Sequence, residues 1–169
     1  MLQRSTALLI LVWLTACGFE PLYGEQSSAD ARWLSSVQLP EAEDRFAQLL
    51  HAAIEDAINP KGARAAPLFR LNPTIQTQEY PFATNLDGSV SRYVINIVST
   101  YELVRIADNK VVASGHMKRT TSYNVSDDDD YATFIARQDA QERAMEGLAE
   151  QYRFKLRSYF HRYAEQRGA

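Results

Sequence analysis

Cysteine, glycine and histidine are scarce in this 169-residue sequence, and each scarcity excludes a class of site. The single cysteine, Cys17, leaves no disulfide possible within the chain. Seven glycines, all spaced singly, provide no glycine-rich phosphate loop, and three histidines have no metal-ligand spacing. Gly-x-Ser-x-Gly and His-Glu-x-x-His motifs are missing as well. We therefore expect a binding or structural protein, with no catalytic residue and no metal site.

Positive charge is also in slight deficit, since 18 basic residues face 21 acidic ones, for a net charge of −3. This balance disfavours nucleic acid as a partner, and any anionic ligand must be bound by a local basic patch. A hydrophobic content of 46% argues against disorder and for an ordinary globular core.

Long apolar runs are missing too, and the clearest short one covers residues 7–14. That run is shorter than the about 20 residues that span a bilayer as a helix. It follows the basic residue Arg4 and precedes small residues, which predicts a cleaved signal peptide at residues 1–16.

The four residues Leu14-Thr15-Ala16-Cys17 resemble a bacterial lipobox, in which the cysteine sulfur is acylated and becomes the first residue of the mature chain. On this interpretation residues 17–30 are a lipidated tether, and several acyl chains on Cys17 hold the protein permanently at a membrane. Gly18, in place of an aspartate after the cysteine, favours the outer membrane. The alternatives are an ordinary signal peptide with one cysteine left over, or a buried free thiol.

Apolar periodicity predicts the elements of the mature part. Alternation at Trp33, Ser35, Val37 and Leu39 indicates a first strand that ends at Pro40. Helical spacing of apolar residues then indicates a helix; these residues are Phe46, Leu49, Leu50, Ala53, Ile54, Ala57 and Ile58. We expect the acidic residues Glu41, Glu43 and Asp44 in its first turn, where the helix dipole favours negative charge.

An extended segment with Phe69, Leu71 and Ile75 on one face follows, and Pro73 within it favours an edge strand. Residues 79–91 are predicted to form a loop. A long hairpin then turns at Asp108-Asn109, with roughly a dozen residues on each side.

Four consecutive aspartates at 127–130 precede a long helical pattern that runs to Tyr163. Clustered carboxylates suit calcium, but the run lacks the spacing of a calcium loop and stands where a helix N-cap is expected, so we favour capping. The last turns could extend beyond the sheet. The order predicts an α+β fold in which two helices pack on one face of a four-stranded sheet with a long β-hairpin, all in a single domain at 31–169.

Basic residues cluster in sequence around the hairpin turn. Arg105 and Lys110 flank the turn, and Lys118 and Arg119 lie further along the returning strand. Lys and Arg are the side chains that bind phosphates, and Arg does so through a bidentate fork. The alternative is ordinary protection of a strand edge by charge.

The octapeptide from Cys17 to Gly24, CGFEPLYG, resembles the start of the alphaproteobacterial LptE family of lipopolysaccharide-assembly lipoproteins. The order of elements and the segment at 122–156 are similar to that family as well. The resemblance implies a lipid-anchored protein on the periplasmic side of the outer membrane, with no cofactor beyond the covalent lipid on Cys17.

That resemblance also implies a partner and a role: the protein plugs an LptD β-barrel, helps it assemble and assists lipopolysaccharide insertion into the outer leaflet. From the residues themselves we infer that Arg105, Lys110, Lys118 and Arg119 bind lipopolysaccharide phosphates. Two alternatives stay open, an auxiliary lipoprotein of an ABC-type lipid transport system and a membrane-held hydrolase.

Overall fold

A computed structural model describes residues 32–60, 62 and 65–168, and the predicted signal peptide and Cys17 lie outside this part. Two main helices and four strands follow in the order β1 Val37–Gln38, α1 Arg45–Ile58, β2 Phe69–Thr84, β3 Val90–Arg105, β4 Lys110–Asn124 and α2 Asp130–Gly168. The sheet order is β1-β2-β3-β4, with β1 parallel to β2 and the other pairs antiparallel. The predicted α+β class is confirmed.

The first predicted strand is largely wrong. Residues 32–34 form a helical turn, and β1 is only two residues long. The Ser36 hydroxyl donates to the Trp33 carbonyl over 2.7 Å and closes this turn. Because the Trp33 ring packs against Phe160 and Tyr163, it is partly buried by tertiary contacts and not by strand alternation.

Helix α1 has the predicted buried face, formed by Leu50, Ile54 and Ile58. Its N-cap is Asp44, whose carboxylate accepts from the Ala47 amide over 2.8 Å. The acidic residues expected in the first turn therefore precede the helix, and the described first turn holds none.

The loop expected at residues 79–91 is confirmed only at residues 85–89, because β2 continues to Thr84, β3 begins at Val90, and the two strands pair along almost the whole length of β2. Side chains near this end of β2 are exposed on both faces, so no apolar alternation marks the strand. Pro81 cannot donate a ladder hydrogen bond, and the register of the pairing shifts directly after it.

The core lies between the two helices and one face of the sheet. Fully buried members come from both layers and include Leu50, Ile54, Phe69, Leu71, Ile95, Ile97, Leu103, Met145, Leu148, Tyr152, Leu156 and Phe160. Helix α2 keeps its apolar stripe on the sheet as far as Phe160, so the overhang considered for its last turns is absent up to that residue.

The second face of the sheet is uncovered by any helix or strand among the described residues. Many of its side chains are hydroxyls and amides in register across the strands, and one row consists of the hydroxyls of Thr74 and Thr100 with the imidazole of His116. This face is therefore a broad polar surface beside the core.

Candidate functional site

The predicted basic residues Arg105 and Lys110 lie directly opposite each other where β3 ends and β4 begins. The last turns of α2 reach the same end of the sheet. Together they line an open cleft of about 460 Å³; its lining residues are Arg105, Lys110, Val111, Val112, Tyr159, Arg162, Tyr163 and Gln166. We call this the basic cleft.

The hairpin turn beside the basic cleft is held in place by hydrogen bonds. Both carboxylate oxygens of Asp108 accept from Arg105, over 2.9 and 2.7 Å. Asn109 adopts a φ of 53°, and its side chain accepts from Arg70 of β2 over 3.1 Å. The turn is therefore held by arginine side chains of β2 and β3.

Electrostatics in the basic cleft follow from these bonds. Hydrogen bonds from Arg105 lower the pKa of Asp108, and the bonds to Asp108 and then to Tyr163 raise the pKa of Arg105. One carboxylate thus partners the Arg105 guanidinium. Lys110 and Arg162 are exposed and add two further positive charges.

The wall of the basic cleft on the helix side is aromatic. The rings of Tyr159 and Tyr163 stack with centroids 5.8 Å apart, and Trp33 meets Tyr163 edge-on at 5.5 Å. Burial raises the pKa of Tyr159 above its ordinary value of 10.0, so the protonated hydroxyl, which can donate a hydrogen bond, is favoured further. The basic cleft therefore offers cations, hydroxyl groups and apolar ring faces together, which suits an amphipathic anion.

The other two predicted residues are placed elsewhere. Successive residues of a strand point to opposite faces, so Lys118 lies on the uncovered face while Arg119 lies under α2. Lys118 is eight residues along β4 from Lys110, which is about 26 Å at the usual rise per residue. The structure therefore does not bring the four basic residues into one site.

Arg119 occupies a specific position against α2. A Cβ atom built on Gly147 would lie only 2.8 Å from Cζ of Arg119, so the guanidinium uses space that the glycine leaves open. Sequence reasoning missed Arg162, which joins the basic cleft from a helix 52 positions after Lys110. Its signal was the cluster of aromatic and basic residues in the last turns of α2.

A second polar cluster of the described chain joins α2 to the sheet. At the far end of the sheet, the Tyr123 hydroxyl donates to Glu79, and Arg137 of α2 pairs with the same carboxylate. In the described ranges no group of three His, Cys, Asp or Glu residues could hold a metal ion. No helix of the described part is long and apolar enough to cross a membrane.

Comparisons with known proteins identify the fold. No protein-family model matches the sequence, and the search of curated proteins finds no match. Among solved structures, a protein of Caulobacter crescentus CB15 described as a lipoprotein is similar, with a TM-score of 0.65, 24% identity, and coverage of 78% of this chain and 96% of its own.

The minor lipoprotein from Acinetobacter baumannii is similar as well, with a TM-score of 0.55 and 13% identity; 72% of this chain and 88% of that chain are covered. At these identities the comparisons concern the arrangement of helices and strands. The chain shares its fold with bacterial lipoproteins of solved structure.

Proposed function

We propose that this protein is an outer-membrane lipoprotein, anchored through Cys17, that binds an LptD-like β-barrel and assists the insertion of lipopolysaccharide. The observation that carries the proposal is the basic cleft, in which Arg105, Lys110 and Arg162 surround tyrosine side chains. Its chemistry matches a phosphorylated glycolipid, because cations bind the phosphates and aromatic rings contact the less polar parts.

The position of the basic cleft relative to the proposed anchor supports this function. Residues that follow Cys17 enter the described fold at Trp33, whose ring touches Tyr163 of the cleft wall. Trp33 lies sixteen positions after Cys17, so a fully extended tether spans at most about 55 Å. A lipid near the anchoring leaflet is thus within reach of the basic cleft.

The uncovered face of the sheet supports the proposed partner. Wide outer-membrane barrels have polar interiors. Rows of hydroxyl and amide side chains, such as those of Thr74 and Thr100, suit contact with such a wall. The likeness of the fold to bacterial lipoproteins is consistent with a domain tethered at a membrane surface.

Binding of purified lipopolysaccharide to the full chain in a mild detergent tests the ligand. Lys110→Glu with Arg162→Glu should weaken binding at least tenfold at low salt, because each charge-assisted hydrogen bond contributes about 1.5–3 kcal/mol. The effect should shrink at high salt, where exposed charges are screened over about 8–10 Å.

The matched control is Lys118→Glu with Lys155→Glu, which changes the net charge equally at exposed positions outside the basic cleft. Full affinity of the control with loss in the cleft variant supports the assignment. Equal loss in both variants would indicate unspecific attraction, and unchanged affinity in the cleft variant would remove this cleft as the ligand site.

Anchoring is tested by Cys17→Ala. Since the chain has no other cysteine, the variant should fail to incorporate a labelled fatty acid and should accumulate as an unprocessed or released protein. The wild-type chain, labelled in parallel, is the control. Incorporation of label into the variant would contradict lipidation at Cys17.

A further inference from the structure

Large apolar side chains are exposed together at the end of the molecule opposite the basic cleft. Six of the eleven strongly exposed large hydrophobic residues of the described chain lie there: Tyr80, Phe82, Leu86, Tyr131, Phe134 and Ile135. Leu86 is fully exposed, and Tyr131 is 71% exposed. Apolar groups concentrated in this way are typical of interaction surfaces, and we call this group the apolar end.

The turn that presents Leu86 is ordered by its own polar atoms. The Asn85 amide donates to the Ser89 carbonyl over 2.8 Å, and Gly88 takes a φ of +88°. The Asp87 carboxylate accepts from the Ser89 amide over 2.9 Å, and that bond is the largest contribution to a lowered pKa of Asp87. The leucine side chain is therefore not what holds the turn together.

The same turn is fastened to the segment before α2, so Leu86 and the exposed residues of the first turns of α2 lie at the same end of the molecule, while Tyr80 and Phe82 are on the adjoining uncovered face of the sheet. The Asn85 side chain donates to Asp127 over 3.1 Å. Asp129 caps the helix by accepting from the Ala132 amide over 2.9 Å, and Thr133 accepts from the Ser126 amide at the same distance. The exposed rings of the first helical turns thus project from a capped helix end and not from a fraying one.

Acidic side chains surround the apolar end. Asp87, Asp127, Asp128 and Asp130 are all exposed there. Arg137 pairs with Glu79, and Arg92 donates to the neutral side chain of Asn124, so the four aspartates outnumber the positive charge of Arg92. A negative rim repels anionic headgroups and also a second copy of the same surface, and it complements a partner that carries cations.

We propose that the apolar end docks a polypeptide segment of the partner barrel in which apolar side chains are flanked by Lys or Arg. This inference rests on the proposed function for the identity of the barrel, and it adds the surface and the chemistry of the contact. Leu86 and Tyr131 supply the apolar contact, and the aspartates select the basic flanks.

The experiment uses the full chain in cells, with a photo-crosslinking phenylalanine analogue placed at Leu86 and, separately, at Phe154. Phe154 is the matched control, since it is 72% exposed but lies far along α2 from the apolar end. We expect the Leu86 probe to join a barrel segment with apolar residues and flanking Lys or Arg, identified by mass spectrometry. The Phe154 probe should not join that segment.

Charge dependence is tested with Asp128→Lys and Asp130→Lys together, which should lower the crosslink yield about tenfold. Glu142→Lys with Glu146→Lys makes the same charge change at exposed positions further along α2 and should leave the yield unchanged. Equal loss in both pairs, or no loss in the first, would overturn the role of the acidic rim.

Crosslinks at Leu86 to lipid, to a second copy of the chain or to an acidic segment would overturn the proposal, as would a lack of any crosslink. If the segment has the expected chemistry but belongs to a protein that is not a β-barrel, the docking surface stands and the proposed function fails. If a barrel co-purifies while Leu86 joins nothing, the proposed function stands and the docking surface fails.

Discussion

A buried tyrosine makes the stability of this fold sensitive to alkaline pH. The Tyr152 hydroxyl lies 2.7 Å from Oγ of Ser99, which is 2.9 Å from the carbonyl of Thr74. Because that carbonyl can only accept, Ser99 donates to it, and Tyr152 donates to Ser99. This chain of hydrogen bonds joins α2 to β3 and β2 across the core.

Burial raises the pKa of Tyr152 from 10.0 to about 12. The neutral phenol is thus favoured in the folded state, and its contribution to stability is complete below pH 10. As the pH rises from 10 to 12, the unfolded chain loses this proton first, so stability falls. Two pKa units correspond to about 2.7 kcal/mol.

Replacement of Tyr152 by Phe removes the titrating group and one hydrogen bond, while Ser99 keeps its bond to Thr74. At pH 7 the variant should be less stable by about 1 kcal/mol. Between pH 10 and 12 it should lose less stability than the wild type, because it lacks the Tyr152 hydroxyl. The other tyrosines whose pKa values are raised are present in both proteins and affect them equally. The two stability curves should therefore cross within this range.

Urea unfolding followed by tryptophan fluorescence measures these curves, because the Trp33 ring packs against Phe160 and reports on the core. Tyr131→Phe is the control, since Tyr131 is 71% exposed and should leave the pH dependence unchanged. Curves for wild type and Tyr152→Phe that stay parallel from pH 8 to pH 12 would refute this reasoning.

Three further substitutions test the packing, each by chemical denaturation. Gly115→Ala should destabilise the protein by about 1–3 kcal/mol, because the new Cβ would lie 2.9 Å from the ring of Tyr101 in the core; an unchanged midpoint would contradict this contact. Gly147→Ala should stabilise α2 by up to about 1 kcal/mol, since only the mobile end of Arg119 must move; a loss of stability would show that this guanidinium is fixed. Ile54→Asp should cost several kcal/mol, because it buries an unpaired charge at a fully buried position; a denaturation midpoint within error of wild type would show that the helix face is wrong.

Much of the fold could be predicted from the sequence where apolar periodicity is strong. Helix α1 and the β3–β4 hairpin follow from spacing and from the Asp108-Asn109 turn, and the structure confirms both. β1 and the end of β2 could not be predicted. The first is two residues long beside a tertiary aromatic cluster, and the second lacks a buried face.

Of the candidate site, the sequence predicted only the residues that are close to one another in the chain. Arg105 and Lys110 flank one turn, so their sequence proximity brings them together. Arg162 joins them through the packing of α2, which no local pattern encodes. Separation of Lys118 from Arg119 follows from strand geometry alone, because neighbours in a strand point to opposite faces.

Purification of the full chain from its native membranes in a mild detergent, through a C-terminal tag, tests whether the protein binds a β-barrel. Mass spectrometry of the eluted complex identifies the partner and its stoichiometry. We expect one outer-membrane β-barrel protein in stoichiometric amount. Recovery of an inner-membrane ABC-type complex in place of the barrel, or of the chain alone, would contradict it.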